Sequence, residues 1–281
     1  MCSVVGDSNC VPEVSVITAV YNGHDVIGDA LESLKKQTFT DWECIICDDG
    51  SIDATWEVIN EVVHGDTRFR LLRNEVNRGP AYSRNRCIST AQGEYIAIQD
   101  ADDISFPNRL DEQVRYLDAF HDVSAVGTHA GLFNDTKQYW GVSKVPEYPK
   151  KKDWVKGPQV IHASTMLRKK DFQSVGQYNE KLLKAEDYDL WVRFIASGHR
   201  ITSIPKVLYG IHWDSSDYTR KKMKHRWNEI RVRHEAIKTF PLPPYFYIYL
   251  LKPLFLGVLP PRLVYFCHFL RFRNHMSNKT F

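Results

Sequence analysis

"EYIAIQDADDISFPNRL", residues 94–110, runs an apolar strand directly into three acids, Asp100, Asp102 and Asp103. Carboxylates this close repel one another, so the turn is either a solvated one or the seat of something positive. The pattern recurs upstream. "VSVITAV" (14–20) is a continuous apolar, β-branched run that ends at Tyr21-Asn22, and "WECIICDDG" (42–50) ends at Asp48-Asp49. Runs of this kind predict strands buried on both faces. Between them, Val26, Ile27, Ala30, Leu31 and Leu34 fall on one helix face, as do Ile52, Trp56, Ile59, Val62 and Val63. "FRLLRN" (69–74) predicts a third strand, Ala81 to Ala91 a third helix, and Pro107 the first turn of a fourth. Strand and helix alternating at this cadence give βαβ units and an open, mostly parallel, Rossmann-like α/β sheet flanked by helices. Ligands bind such sheets at the carboxyl ends of the strands, where the three polar clusters should meet.

Composition agrees with a globular chain. Of 281 residues, 43% are hydrophobic and 25% charged, enough for one large domain with an appendage. The formal net charge of +3 is too small to mark a nucleic-acid partner, and none is expected. The six cysteines have no disulfide spacing. Cys44 and Cys47 form a CxxC, but within a strand they point to opposite faces and read as small core residues. The start, "MCSVVGDSNCVPE", lacks the basic and apolar segments of a secretory leader, so a reducing cytosol is expected. In that compartment the sequons at Asn134 and Asn278 carry little meaning.

The second half predicts a strand and basic turn in "VIHASTMLRKKDF" (160–172) and a helix in "KAEDYDLWVRFIASG" (184–198). Extended chain follows over 199–213, then a long basic helix from Met223 to Thr239. In the tail, Tyr245 to Leu259 is too short to span a bilayer, which needs about 20 residues. It also carries Lys252, Pro253 and Gly257. Aromatics beside Lys252, Arg262, Arg271 and Arg273 predict C-terminal amphipathic helices on a membrane surface, with a flap on the body or an oligomer contact as the competing reading.

Asp100-Ala101-Asp102 is a DxD arrangement whose carboxylates suit Mg²⁺ or Mn²⁺, with substrate phosphates completing the shell. The competing reading is a solvated turn with Asp103 capping a helix. Glu186-Asp187-Tyr188-Asp189 opens a helix and offers a general base, or simple helix-start charge. Arg84 suits a phosphate grip or a surface ion pair. His212 is a third candidate ligand or a surface histidine. His162 and Trp191 are candidate acceptor contacts, and either could equally be core.

Together, "VSVITAVYNG", "LKKQTFTDWECIICDDGSID", "NEVNRGPAYSRNRCISTAQGEYIAIQDADD", "VGQYNEKLLKAEDYDLWVRF" and "LYGIHWDSSD" resemble family 2 glycosyltransferases of the GT-A fold over about residues 13–215. The resemblance implies inverting transfer from a nucleotide-diphosphate sugar, UDP-linked by expectation, with Mn²⁺ or Mg²⁺. It places Ala19, Tyr21, Asn22, Asp48, Asp49, Arg84 and Asp100 on the donor, and Asp102, Asp100 and His212 on the metal. Asp187 is the implied base, paired with Glu186. The implied acceptor is a glycan or lipid-linked hydroxyl at the inner face of the plasma membrane, in surface polysaccharide or glycolipid synthesis. Ala19-Val20 departs from the family's usual Pro-Thr, Ser83 from Ala and Cys87 from Gly; none is a catalytic acid. The expected organisation is a tail (1–12), a catalytic domain with nucleotide-binding (13–103) and acceptor (104–215) halves, a basic helix (216–240) and a membrane-associating tail (241–281). Two other readings compete. One is a silent nucleotide-sugar-binding scaffold, against which all four key acids are present. The other is a phosphotransferase, for which no GxxxxGK[ST] or GxGxxG occurs.

Overall fold

The computed structural model describes residues 11–182, 184–213 and 223–273. Cys2, Cys10, residues 216–222 of the expected basic helix and Asn278 lie outside them. The amino-terminal half alternates β1 (Val14–Val20), α1 (Ile27–Lys35), β2 (Trp42–Asp48), α2 (Thr55–Val63), β3 (Phe69–Arg73), α3 (Pro80–Thr90) and β4 (Tyr95–Ile98). After these come β5 (Ile104–Ser105), α4 (Arg109–Ala119), β6 (Val123–Phe133), β7 (Tyr139–Ser143), β8 (Met166–Arg168) and α5 (Lys169–Val175). The chain continues through α6 (Glu186–Ala196), β9 (Arg200–His212), α7 (Met223–Thr239), α8 (Leu251–Val258) and α9 (Pro261–Arg273).

All nine strands form one sheet in the order β3-β2-β1-β4-β8-β6-β9-β5, with β7 on the far half of β6. β1 to β4 pair in parallel, as does the long β6–β9 ladder, while β8, β7 and β5 run antiparallel to their neighbours. The period-2 pattern divides the core. Val14, Val16, Cys44, Ile46, Tyr95 and Ala97 face α1, α2 and α4, whereas Ile17, Ile45, Cys47, Ile96 and Ile98 face the layer that holds α3, α6 and α7. Cys44 and Cys47 are thus buried in different layers, which disposes of the CxxC as a pair.

Register places the site. Val20 lies opposite Asp48 and Ile17 opposite Ile98, so the loops after β1, β2 and β4 emerge on one edge. Two glycines are needed there and beneath. Gly50 takes a left-handed φ of 72°, and a Cβ on it would lie 2.6 Å from the Val76 carbonyl carbon. A Cβ on Gly93 would lie 2.6 Å from the Ser15 nitrogen, so only glycine lets the chain enter β4 against β1.

The structure differs from the sequence reading in places. The "basic turn" at 169–172 is the start of α5. Asn108, the residue after Pro107, stands at the cap position of α4, and Asp103 does not cap that helix: its Oδ1 accepts the backbone N–H of His212 at 2.9 Å. The tail folds back on the body. Trp140 of β7 stacks on Phe269 of α9, with ring centroids 5.2 Å apart. Among the described residues no single helix is long and apolar enough to cross a membrane. Pro244–Val258 and Arg262–Arg273, bent by 116°, reach that length and composition only as a pair.

Candidate active site

The strand ends open into three adjoining chambers. One of about 380 Å³ is lined by Ala19, Tyr21, Asn22, Arg84, Asp100 and Asp102, among others. A second, of about 660 Å³, is lined by Asp100, Asp102, Asp103, Asp187, Tyr188 and Trp213, with Lys184, Arg226 and Glu229 on its outer wall. The third, about 330 Å³, lies between α1 and the β6–β7 hairpin and contains Asp25, Asp29, Asp135 and Lys137. Asp102 and His212 line all three. The acid turn is therefore a hub.

Each wall is fixed by its neighbours. Asn22, in a left-handed conformation (φ 49°), donates its backbone N–H to Ser51 Oγ at 2.9 Å and accepts the Ile52 N–H on its Oδ1 at 3.0 Å. The first chamber's rim is thereby tied to the β2–α2 loop. Asp48 and Asp49 serve that rim from behind. Asp48 is fully buried, accepts the Ser51 N–H and pairs with Arg73 at 3.1 Å. Asp49 accepts from Asn74 Nδ2 at 2.6 Å and from the backbone N–H groups of Arg78 and Gly79. Neither lines one of the three chambers, and their oxygens are taken up by these neighbours.

Arg84 on α3 connects the halves. Its Nη2 donates to Asp100 at 2.9 Å and its Nη1 to Glu186 at 3.0 Å, with little solvent access. Burial alone would raise the Asp100 carboxyl; the Arg84 guanidinium more than offsets this and holds it below the usual range. Glu186 is thus occupied with Arg84, which leaves Asp187 as the member of the Glu186–Asp187 pair that faces the second chamber. A left-handed Ala185 (φ 68°) turns the chain into α6 so that Asp187 lies on that wall. Burial, then the adjacent Glu186 charge, pushes the Asp187 carboxyl up to about 6. It accepts the Tyr188 N–H at 2.7 Å. A carboxylate poised near neutrality in a cleft is the profile of a general base.

The remaining assignments divide. His212 lines the hub, and its Nε2 lies 2.7 Å from Asp135 Oδ1. His162 is turned to Tyr178, 2.9 Å from its hydroxyl, and burial and Arg84 push its imidazole down to about 3, so it is neutral. Trp191 is fully buried against His162 and Phe194. Neither lines the cleft, and Trp191 in particular is core rather than an acceptor contact, because α6 turns that face inward. Sequence reasoning missed Tyr209, whose hydroxyl accepts the Asp100 N–H at 3.1 Å, although it stands three residues before His212 in the quoted motif. It also missed Asp135, which no local signal marks. Buried Arg109 was missed too. It bonds the Ile98 carbonyl, Gln99 and Ser105, and Gln99 in turn donates to the Asp100 and Asp103 carbonyls, so the acid turn is braced from below.

The donor set suits a hard divalent cation: a carboxylate and an imidazole, Asp102 and His212, line one junction, with Asp100 beside them held by Arg84. Among the described residues no three ligating side chains already converge. Magnesium-type sites take one or two carboxylates and complete the shell with substrate phosphates, so this set fits.

The comparisons with known proteins agree with the geometry. The model of the family "Glycosyl transferase family 2" matches residues 15–176. The chain is 33% identical to the putative glycosyltransferase EpsE of Bacillus subtilis, over 90% of this chain and 91% of that protein. It is 29% identical to WfaP of Escherichia coli, a UDP-Glc:α-D-GlcNAc-diphosphoundecaprenol β-1,3-glucosyltransferase, over 71% and 77%. The fold superposes on a mannosyltransferase from Pyrobaculum calidifontis, solved with GDP-Man and Mn²⁺, with a TM-score of 0.60, 18% identity and coverage of 94% and 81%. The sheet, the hub of acids and the family match lead to one conclusion: the chain belongs to glycosyltransferase family 2 and is a GT-A enzyme.

Proposed function

We propose that the protein is an inverting glycosyltransferase of surface polysaccharide or glycolipid synthesis, moving a sugar from a UDP-linked donor to an acceptor hydroxyl. The observation that carries this is the position of Asp187: raised toward neutrality, it shares one chamber with Asp100 and Asp102, which also line the chamber of Tyr21 and Arg84. The nucleotide occupies the Tyr21 side, the diphosphate lies at the hub and the acceptor enters beside Asp187. A divalent cation held by Asp102 and His212 would neutralise the charge that develops on the leaving diphosphate. Arg84 holds Asp100 in place, and Asp187 accepts the acceptor's proton. The UDP-Glc named for WfaP and the Mn²⁺ of the archaeal neighbour support donor and metal classes. Asp48 and Asp49 act on the donor through the rim they hold, and His162 through its contact with Tyr178 behind Arg84.

The tail is read as a surface that rests on the inner face of the plasma membrane. Tyr245, Ile248, Phe255, Val258 and Phe266 are exposed, and residues 241–281 contain no Asp or Glu. The test of the central reading is thermal shift with a panel of nucleotide sugars in Mn²⁺, Mg²⁺ or EDTA. A metal-dependent rise with one donor is expected. No response to any donor in any condition would return the acids to a structural role and favour the silent-scaffold reading.

A further inference from the structure

The chamber that holds Asp187 is two-signed. Its floor is acidic, while its outer wall, where the start of α6 meets α7, carries Lys184, Arg226 and Glu229. Glu229 does not neutralise this wall. Its Oε1 takes Arg233 Nη2 at 2.7 Å, and its Oε2 takes Arg226 Nη1 at the longer distance of 3.3 Å. Arg233 is only 1% exposed and also donates to the Val155 carbonyl at 2.7 Å, so it takes the larger share of that carboxylate. One carboxylate thus serves two guanidiniums. The wall retains a positive charge, to which Lys184 adds another.

These cations stand on elements that touch, and both line this chamber alone of the three. Asn228 of α7 donates to the Lys184 carbonyl at 3.3 Å, which joins the two elements. Lys184 and Arg226 line neither the Tyr21 chamber nor the Asp135 chamber. Arg226 is 15% exposed, enough for its guanidinium to meet a ligand but too little for water to satisfy it fully. Its planar fork matches a phosphate, and Lys184 supplies a mobile point charge beside it. The same chamber has an apolar end: Trp213 lines it and packs on Phe272 of α9, with ring centroids 5.3 Å apart. An anion held at Lys184 and Arg226 therefore has the base on one side and the apolar tail on the other.

We infer that Lys184 and Arg226 form an anion subsite for a phosphate ester carried by the acceptor. The inference rests on the reading of this cleft as a glycosyl-transfer site. Two sources share the chemistry, a lipid-linked diphosphate and a phosphorylated glycan, and the test separates them. The full chain is titrated calorimetrically in EDTA, without donor, using geranyl diphosphate and its uncharged counterpart geraniol, and N-acetylglucosamine 1-phosphate and its uncharged counterpart N-acetylglucosamine. Each phosphorylated probe is expected to bind at least tenfold more tightly than its neutral partner. Tighter binding of geranyl diphosphate assigns the lipid source, and tighter binding of the sugar phosphate assigns the glycan. Arg226→Met with Lys184→Met should abolish the preference. Lys184→Met alone, at an exposed position that leaves the fold intact, should reduce it at least threefold. Equal affinity for charged and neutral probes, or a preference untouched by the double substitution, overturns the inference. So does an equal loss of the donor's metal-dependent thermal shift in the double variant, which would give these cations to the donor diphosphate. Phosphate binding that persists where no donor shifts the wild type would sink the transfer reading and leave the subsite standing.

Discussion

Asp187→Asn keeps the shape of the side chain and removes its charge, so it separates two properties that the wild type couples. The folded carboxyl titrates near 6, above the ordinary aspartate value of about 4. At 1.36 kcal/mol per pH unit the gap corresponds to roughly 3 kcal/mol, reduced to about 1–3 kcal/mol by the solvent that still reaches the group. The sign follows from the protonated form being the one favoured by folding. Below about pH 4 the group is protonated in both states and carries no penalty. As pH rises from 4 through 6, the unfolded chain ionises more readily than the folded one and stability falls. Asparagine feels none of this. At pH 8 the variant should melt a few degrees higher than wild type, with the difference vanishing near pH 4. Turnover should fall about 10²–10⁴-fold, the usual worth of a general base, while the donor's thermal shift stays within twofold. Wild-type kcat/KM should rise with pH through about 6, and the variant's residual rate should lack that step. The assays are product release at saturating donor and melting curves at pH 4, 6 and 8. A variant that keeps a tenth of its turnover, or that melts lower than wild type at pH 8, would refute the assignment.

Other perturbations have equally definite outcomes. Asp102→Ala should abolish the difference between Mn²⁺ and EDTA in the donor thermal shift while leaving the melting temperature without donor near wild type. Arg84→Met leaves Asp100 and Glu186 facing each other without their shared cation; breaking a buried pair of this kind costs about 3–5 kcal/mol, read as a lower urea midpoint. Gly50→Ala must hold a left-handed φ and displace the Val76 backbone, a cost of about 1–3 kcal/mol with weakened donor binding. Phe255→Ser with Val258→Ser, at positions 68% and 78% exposed, should release the protein from anionic vesicles without changing its stability in solution. Removing the whole tail would be a poorer test, because it would also uncover Trp140.

β1, β2 and β4 were legible because each is buried on both faces and so reads as a largely apolar run. The same property let the Cys44–Cys47 spacing be discounted. β6 was not legible: "VSAVGTHAGLF" mixes Ser124, Thr128 and His129 into its apolar pattern, although the strand is buried along nearly its whole length. α5 was hidden because its first turn, Lys169-Lys170, is basic and Phe172 is its single buried apolar anchor. At the site, the motifs marked carboxylates that the fold gathers at the strand ends but not which partners they take. Asp48 and Asp49 turn to backbone N–H groups, Glu186 to Arg84, and the Asp135–His212 contact joins residues 77 apart in sequence. Such pairings come from the tertiary fold and leave no periodic trace.

The hub also has a kinetic meaning. Asp102 and His212 are walls common to all three chambers, so whatever loads on one side becomes part of the partition seen from the other. A donor seated at the junction completes the inner surface that an acceptor meets, and an acceptor that arrives first meets an unfinished one. Substrates should therefore add in a compulsory sequence, donor before acceptor. The spent nucleotide, still lodged in the partition, would leave last and act as a competitive brake on the next cycle.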